Sequence, residues 1–273
     1  MKRCRCEEEK VFTPKEELQH IVDWIKEYFV RNGPDSKTII GISGGKDSTI
    51  AAALCVKALG ADKVIGVLMP CGKQEDIEDA RKVCQILNIQ SYEIQIGGVC
   101  SAFYRAIDEG YDSGLSVVND KNIITNLPAR IRMTALYAMA AELGGRVCNT
   151  SNLSEKFVGY STKYGDGAGD FAPIAGYTVT ELLAIGEVLH QEMGIPNELI
   201  YKAPSDGMCG TTDEDNLGFT YKELDEYILN DIKPDDYEIF KKIVQANGRS
   251  QHKIRDIHIP KCPPLNGHRK CYF

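Results

Sequence analysis

The stretch Gly41-Ile42-Ser43-Gly44-Gly45-Lys46-Asp47-Ser48 stands between a short apolar run, Thr38 to Ile42, and an alanine-rich helical pattern from Thr49 to Leu59. Its order is strand, glycine turn, helix. Glycines let a backbone approach a ligand closely, and the helix start behind them offers N–H groups and the positive end of a dipole to phosphate oxygens. Two other phosphate loops are excluded by spacing. Asp47 stands where a Walker loop needs Ser or Thr after the lysine, with Ile40 at its glycine position, and Ser43 occupies the second glycine of a dinucleotide fingerprint. An ordinary glycine turn capped by Asp47 or Ser48 is the plain alternative, but here hydroxyls and a carboxylate share one helix entrance.

Outward from this loop the chain alternates. Upstream, Leu18, Ile21, Val22, Ile25 and Phe29 recur at helical spacing between Thr13-Pro14 and Asn32-Gly33-Pro34. Downstream, the patterns predict a strand at Val64 to Met69, a helix at Glu75 to Leu87, a strand at Ser91 to Ile96 and a helix at Val99 to Ile107. A longer helix from Leu127 to Leu143, capped by Asn126 with Pro128 in its first turn, leads to a fourth strand at Arg146 to Thr150. This predicts an α/β chain with a Rossmann-like three-layer fold, a mostly parallel sheet and helices on both faces. Helical patterns return at Thr180 to Met193, Tyr221 to Leu229 and Asp235 to Ala246, and the tail from Ser250 has no clear period. One domain over 1–273 is expected. The polar, glycine-rich stretches 151–176 and 203–218 read as mobile active-site loops, and residues 1–12 and 261–273 as flexible ends.

Composition narrows the function. Thirty-nine acidic against 32 basic residues give a net charge of −7, without the basic footprint of a nucleic-acid binder. No apolar run approaches the roughly 18 residues of a membrane span. Ten cysteines, scattered and without a C-x-x-C pair or an apolar leader, predict reduced thiols in a cytoplasmic protein. A zinc ion on Cys4, Cys6, Cys262 and Cys271 would require both ends of the chain to meet, which is not expected.

The loop resembles the S-G-G-x-D-S loop of the ATP pyrophosphatases, which cleave ATP between its α and β phosphates and have an adenine nucleotide alpha hydrolase-like fold. Within that superfamily, Asn149-Thr150-Ser151-Asn152-Leu153-Ser154-Glu155, Gly159 to Gly167, Pro128-Ala129-Arg130-Ile131-Arg132-Met133 and His252-Lys253 resemble the ammonia-dependent NAD synthetases. The similarity runs from about Trp24 to Lys253. It implies a C–N bond-forming ligase that converts ATP, deamido-NAD and ammonia into AMP, pyrophosphate and NAD through an adenylated nicotinate carboxylate.

The resemblance also implies roles. ATP would meet Gly41, Ile42, Ser43, Gly44, Gly45, Lys46, Asp47, Ser48, Arg132, Thr150 and Ser205. Asp47 and Glu155 would hold Mg2+, a hard cation that suits carboxylate oxygens. Deamido-NAD would meet Arg130, Lys163, Asp170, His252 and Lys253, and Asp166 would act catalytically near the ammonia. Arg130 and Arg132, two apart on a helix, should point to different sides. A calcium site in Asp166-Gly167-Ala168-Gly169-Asp170 is excluded because the spacing fails the EF-hand pattern. A homodimer is implied, with the helix from Leu127 to Leu143 available to pack. The 40 residues before Gly41 are too few for a glutaminase domain, so ammonia would be used directly or come from a separate chain.

Three positions depart from the family pattern. Val179 stands where a lysine is usual, with Lys163 or Lys202 as the expected substitutes. Ser205 replaces a threonine, and Cys209 and Thr211 depart from the pattern of the same loop. The alternative function is a tRNA-thiolating pyrophosphatase, disfavoured by the acidic balance and the lack of paired cysteines.

Overall fold

The structure is a computed structural model that describes residues 11–74, 77–110, 121–202 and 212–254. Ser205, Cys209, Thr211, the four cysteines at the chain ends, residues 1–10 and the whole of 261–273 lie outside the described residues.

Among the described residues the sheet has four strands in the order β3-β2-β1-β4. They are β1 (Lys37–Gly41), β2 (Val64–Leu68), β3 (Gln90–Glu93) and β4 (Gly145–Cys148). All pairs are parallel, with Ile39 opposite Ile65 and Val147, and Val67 opposite Tyr92. Alternation along β1 and β2 divides the apolar side chains between two layers. Ile40, Val64 and Leu68 join one core, while Ile39, Ile65 and Val67 join the other. Such strands, buried on both faces, need helices on both sides.

Helices α1 (Pro14–Asn32), α2 (Lys46–Leu59), α3 (Ile77–Ile86), α7 (Val179–Met193) and the short α8 (Asn197–Ile200) contribute to the first core. α1 buries Leu18, Ile21, Val22, Ile25 and Phe29, the residues its period marks. Helices α4 (Gly97–Gly110) and α5 (Lys121–Leu143) cover the opposite face through Cys100, Met133, Leu136 and Ala140. A third, smaller cluster joins α6 (Leu153–Val158), α10 (Tyr221–Asn230) and α11 (Tyr237–Ile254), beside the one-turn α9 (Asp213–Leu217).

Three expectations are corrected. The long helix begins at Lys121 and not at Leu127, so Pro128 lies inside it and Asn126 is not its cap. The Asn126 amide donates to the Asn122 carbonyl at 2.8 Å, and its oxygen accepts from the Thr162 hydroxyl at 2.7 Å. The last helix runs on to Ile254, which places His252 and Lys253 on a helix and not in an irregular tail. β3 ends at Glu93, short of the predicted Ile96, whose N–H already bonds to Pro70 beyond the end of β2.

Candidate active site

Strand order reverses at β1. β2 and β3 lie on one side and β4 on the other, so the loops leaving β1 and β4 diverge and open a crevice beyond their carboxyl ends. A cavity of about 620 Å³ lies there, walled by Gly41, Ile42, Ser43, Gly45, Lys46, Asp47 and Ser48 of the first loop and by Thr150 and Ser151 of the second. Glu155, Arg132, Asp166, Lys202 and Lys253 complete its polar lining.

The first loop is closed by its own hydroxyls. The Ser43 N–H donates to Ser48 Oγ at 3.3 Å, the Gly45 N–H donates to Ser43 Oγ at 3.2 Å, and Ser48 Oγ and Thr49 Oγ1 donate to the Gly45 carbonyl at 3.1 and 2.8 Å. Gly44 makes the turn at φ +82°, where a Cβ would stand 2.8 Å from the Ala80 nitrogen of α3. Only glycine fits both that conformation and that approach.

Two carboxylates reach the cavity from separate segments, and Asn152 joins them. Asn152 caps α6, accepting from the Glu155 N–H at 2.9 Å while Glu155 Oε2 accepts from the Asn152 N–H at 3.2 Å. The same side chain donates to Asp47 Oδ1 at 3.2 Å. On the other side, the Lys46 ammonium, 3% exposed, donates to Asp47 Oδ2 at 2.9 Å. Desolvation and then the charge of Asp47 push the Glu155 carboxyl well above its ordinary value, against the pull of Lys46. For Lys46, burial opposes the charge, but Asp47 and Glu155 more than offset it and hold the ammonium above its usual range.

The segment after α6 folds over the cavity on bonds from Asn149. Its amide donates to the carbonyls of Asp166 at 2.7 Å and Ala168 at 2.9 Å, and the Ser151 hydroxyl donates to the former at 3.2 Å. The Asp166 carboxyl accepts from the Thr162 N–H at 2.9 Å. Although Asp166 is open to the cavity, the surrounding walls desolvate it and raise its value, opposed by the Thr162 hydrogen bonds and the charge of Lys253. Lys253 donates to the carbonyls of Gly159 and Ser161 at 3.0 and 2.9 Å, tying the end of α11 to this segment.

Of the remaining predicted residues, Arg132 lines the cavity, while Arg130, Lys163, Asp170 and His252 are not among its lining residues. Arg132 turns inward and donates to the Met69 carbonyl at 3.1 Å, whereas Arg130 is exposed and donates to the Lys163 carbonyl at 3.3 Å. The two arginines therefore diverge as their spacing requires. Lys163 donates to the His252 carbonyl at 2.6 Å, and the exposed His252 ring contacts the Arg249 carbonyl. Asp170 is separate from these. It accepts from the Tyr137 hydroxyl at 3.2 Å and the Val147 N–H at 2.7 Å, and burial, aided by the charge of Asp170, pushes the Tyr137 phenol up to about 12. Arg130 and Tyr137 nevertheless share one exposed face of α5, about two turns apart.

Position 179 is apolar because of its surroundings. Val179 packs with Val158, Phe219, Tyr221 and Leu224. Of the two lysines expected to substitute, Lys202 lines the cavity and pairs with Asp79 at 2.6 Å, and Lys163 donates to the His252 carbonyl of α11. Lys46 is the cation beside this cluster, its ammonium 5.5 Å from the Tyr221 ring centroid.

Four residues at the site had no assigned role. Asn152 was legible, since Asn152-x-x-Glu155 has capping-box spacing. Asn149, Asp213 and Tyr221 carry no comparable local signal. Asp213 lines the cavity and accepts from the Tyr221 hydroxyl at 3.3 Å.

A family model described as NAD synthase matches residues 17–258. The chain is 39% identical over 218 residues to the NH3-dependent NAD+ synthetase of Pyrococcus furiosus, covering 79% of this chain and 80% of that one. It is 36% identical over 253 residues to the NH3-dependent NAD+ synthetase of Carboxydothermus hydrogenoformans, covering 92% and 98%. A solved structure of an NMN synthetase from Francisella tularensis matches with a TM-score of 0.81 at 33% identity, covering 92% of this chain and 100% of that one.

Proposed function

The chain belongs to the NAD synthase family, and from that premise we propose that it is an ammonia-dependent NAD synthetase, an ATP-dependent ligase forming the C–N bond of the nicotinamide group. The observation that carries this reading is the Asp47–Asn152 hydrogen bond, which brings the phosphate loop and the capped carboxylate of Glu155 to one cavity. The tRNA-thiolating alternative is not favoured, because the matched family and the relatives named are NAD synthases.

A nicotinate carboxylate resists amines because it is anionic and oxide is a poor leaving group. Adenylation removes both obstacles. A carboxylate oxygen of deamido-NAD attacks the α phosphorus of ATP, the bond to the β-phosphate oxygen breaks, and pyrophosphate leaves with the electron pair. Ammonia then adds to the acyl carbon and loses a proton, and AMP departs with the acyl–oxygen pair. Ser43, Gly44, Gly45 and Ser48 with the start of α2 receive the pyrophosphate, Thr150 and Arg132 contact ATP, and Ser205 is assigned to ATP by resemblance. Asp166 accepts the proton from the attacking nitrogen. Arg130, Lys163, Asp170, His252 and Lys253 are assigned to deamido-NAD, the cations suiting its phosphates and carboxylate.

The oxygen donors of Asp47 and Glu155, desolvated and close enough for the charge of Asp47 to help raise Glu155, fit a hard divalent cation. Mg2+ bound there would neutralise charge on the departing pyrophosphate. We further assign a homodimer, supported by the exposed face of α5 that carries Thr134, Tyr137 and Ala141. No described helix is long and apolar enough to cross a membrane. We assign the enzyme to the cytoplasm on the sequence reading of reduced thiols.

Incubating the protein with ATP, deamido-NAD and ammonia should yield AMP, pyrophosphate and NAD in equal amounts. Formation of ADP and orthophosphate would overturn the reading. The likeness to the Francisella NMN synthetase favours a second reading in which the acyl substrate is the deamido mononucleotide. Running both acids in the same assay decides between them by kcat/KM.

A further inference from the structure

As part of the phosphate loop, Lys46 is read as an ATP contact, yet its position says more. Its side chain does not extend from the loop into solvent but lies 3% exposed, with the ammonium 2.9 Å from Asp47 Oδ2. The other Asp47 oxygen accepts the Asn152 amide at 3.2 Å. Both oxygens of the carboxylate assigned to the metal are therefore already occupied by the protein. The Tyr221 ring stands 5.5 Å from the same ammonium, so an aromatic face and not water lies beside it.

A divalent ion approaching alone meets a fixed positive charge at the oxygen it needs. Moving that charge aside requires another anion to receive it, since a desolvated ammonium without a partner is costly. The triphosphate supplies such an anion. A lysine head on a four-carbon stem can turn from a carboxylate to a phosphate without moving the backbone. Among the described residues, no group of three or more His, Cys, Asp or Glu side chains is arranged to hold an ion, so water and, when nucleotide is present, phosphate oxygens would complete the ligand set.

We propose that Lys46 is a resident counter-ion that closes Asp47 to free divalent metal and is displaced onto phosphate oxygens when metal and nucleotide arrive together. The inference rests on the reading of Asp47 as a metal ligand. It makes the metal–nucleotide complex, and not the free ion, the species the site accepts. It also gives a function to a lysine in the middle of the S-G-G-x-D-S loop, beside the apolar cluster that holds Val179.

The test is Mn2+ binding, followed by loss of the free-ion electron paramagnetic resonance signal, with and without α,β-methylene-ATP. Wild-type protein should bind Mn2+ weakly alone and much more tightly with the analogue. Lys46→Gln should bind Mn2+ without nucleotide about tenfold more tightly than wild type, a coupling of ordinary size. Lys46→Met, which keeps the stem, provides the same reading should the glutamine variant not fold. Equal Mn2+ affinity in wild type and the charge-free variant overturns the proposal. Tight binding in Lys46→Gln that survives an added Asp47→Asn overturns instead the assignment of Asp47 to the metal.

Discussion

At the floor of the cavity, the loop from Ser43 to Ser48 closes on itself through hydrogen bonds between residues two to five apart. At the rim, Arg130 bonds to a carbonyl 33 residues away, Lys163 to one 89 away, and Tyr28 to the Asp170 carbonyl across 142. The floor is a local structure that one segment can specify. The rim is gathered from α1, α5, the segment after α6 and α11, and exists only once these distant elements have packed. A phosphate chain common to all nucleotides can be held by the first kind of site. A long acyl substrate, with a carboxylate at one end and a pyrophosphate in its middle, needs the second, because distant segments can span it.

If the floor holds the nucleotide independently of the rim, the largest loss should come from a floor residue and should appear without the acyl acceptor chemistry. Asp47→Asn preserves shape but removes the charge shared by Lys46 and Asn152. ATP–pyrophosphate exchange in the presence of deamido-NAD should fall about 1000-fold, as for the loss of a strong electrostatic contact to a transition state. Exchange within a factor of two of wild type would remove Asp47 from the reaction and, with it, the contrast between floor and rim.

The same contrast explains what could be read from the sequence. The α1 period, the glycine loop and the strand–helix alternation are local patterns, and each appears where its residues predict, within a few positions. The sharpest failure among elements was the start of α5, where Pro128 looked like a first turn. Proline is tolerated there within a longer helix, and Asn126 uses its side chain to bond back to Asn122 and out to Thr162. At the site, Asn152 could have been found from its spacing to Glu155. Asp213 and Tyr221 could not, since their relation to Lys46 depends on α10 packing against α6 and α7. Nor does Val179 announce its surroundings: Tyr221, with which it packs, stands 5.5 Å from the ammonium of Lys46, 133 positions earlier in the chain than Val179.

Between floor and rim stands Asp166, held by Asn149 and Ser151 after β4 and by the Thr162 N–H. If it accepts the proton from ammonia, Asp166→Asn should lower kcat about 100-fold at saturating ammonia, with exchange of pyrophosphate into ATP nearly unaffected. The sign of the pH effect follows from its environment. Desolvation raises the folded value, so the base form is lost, as pH falls, above the ordinary aspartate value of about 3.9. The acid limb of wild-type kcat should therefore lie above that value and be absent from the asparagine variant. Stability should move in the opposite sense. The preference of the fold for the neutral carboxyl is fully present below the unfolded value and is lost as pH rises through the folded one. Asp166→Asn should thus gain on wild type in melting temperature as pH rises, and a constant difference from pH 3 to 8 would remove the desolvated carboxyl from the account.

The smallest effect belongs to the rim. Arg130 is exposed on α5, and its Nε engages a carbonyl at 3.3 Å, so its removal leaves no buried group unpaired. Arg130→Ala should raise the KM for deamido-NAD about tenfold, the value of one charge-assisted hydrogen bond at a wet surface, while leaving kcat, the KM for ATP and the melting temperature close to wild type. Arg130→Lys should recover part of the loss, because it restores charge but not the two-pronged geometry that an oxyanion accepts. The split between KM and kcat matters more than its size. A residue that only binds the far part of the substrate contributes equally in ground and transition states and so leaves kcat alone. Should kcat fall in step with affinity, Arg130 would be acting on the reacting carboxylate itself, and the rim on this side would have to be counted as part of the floor.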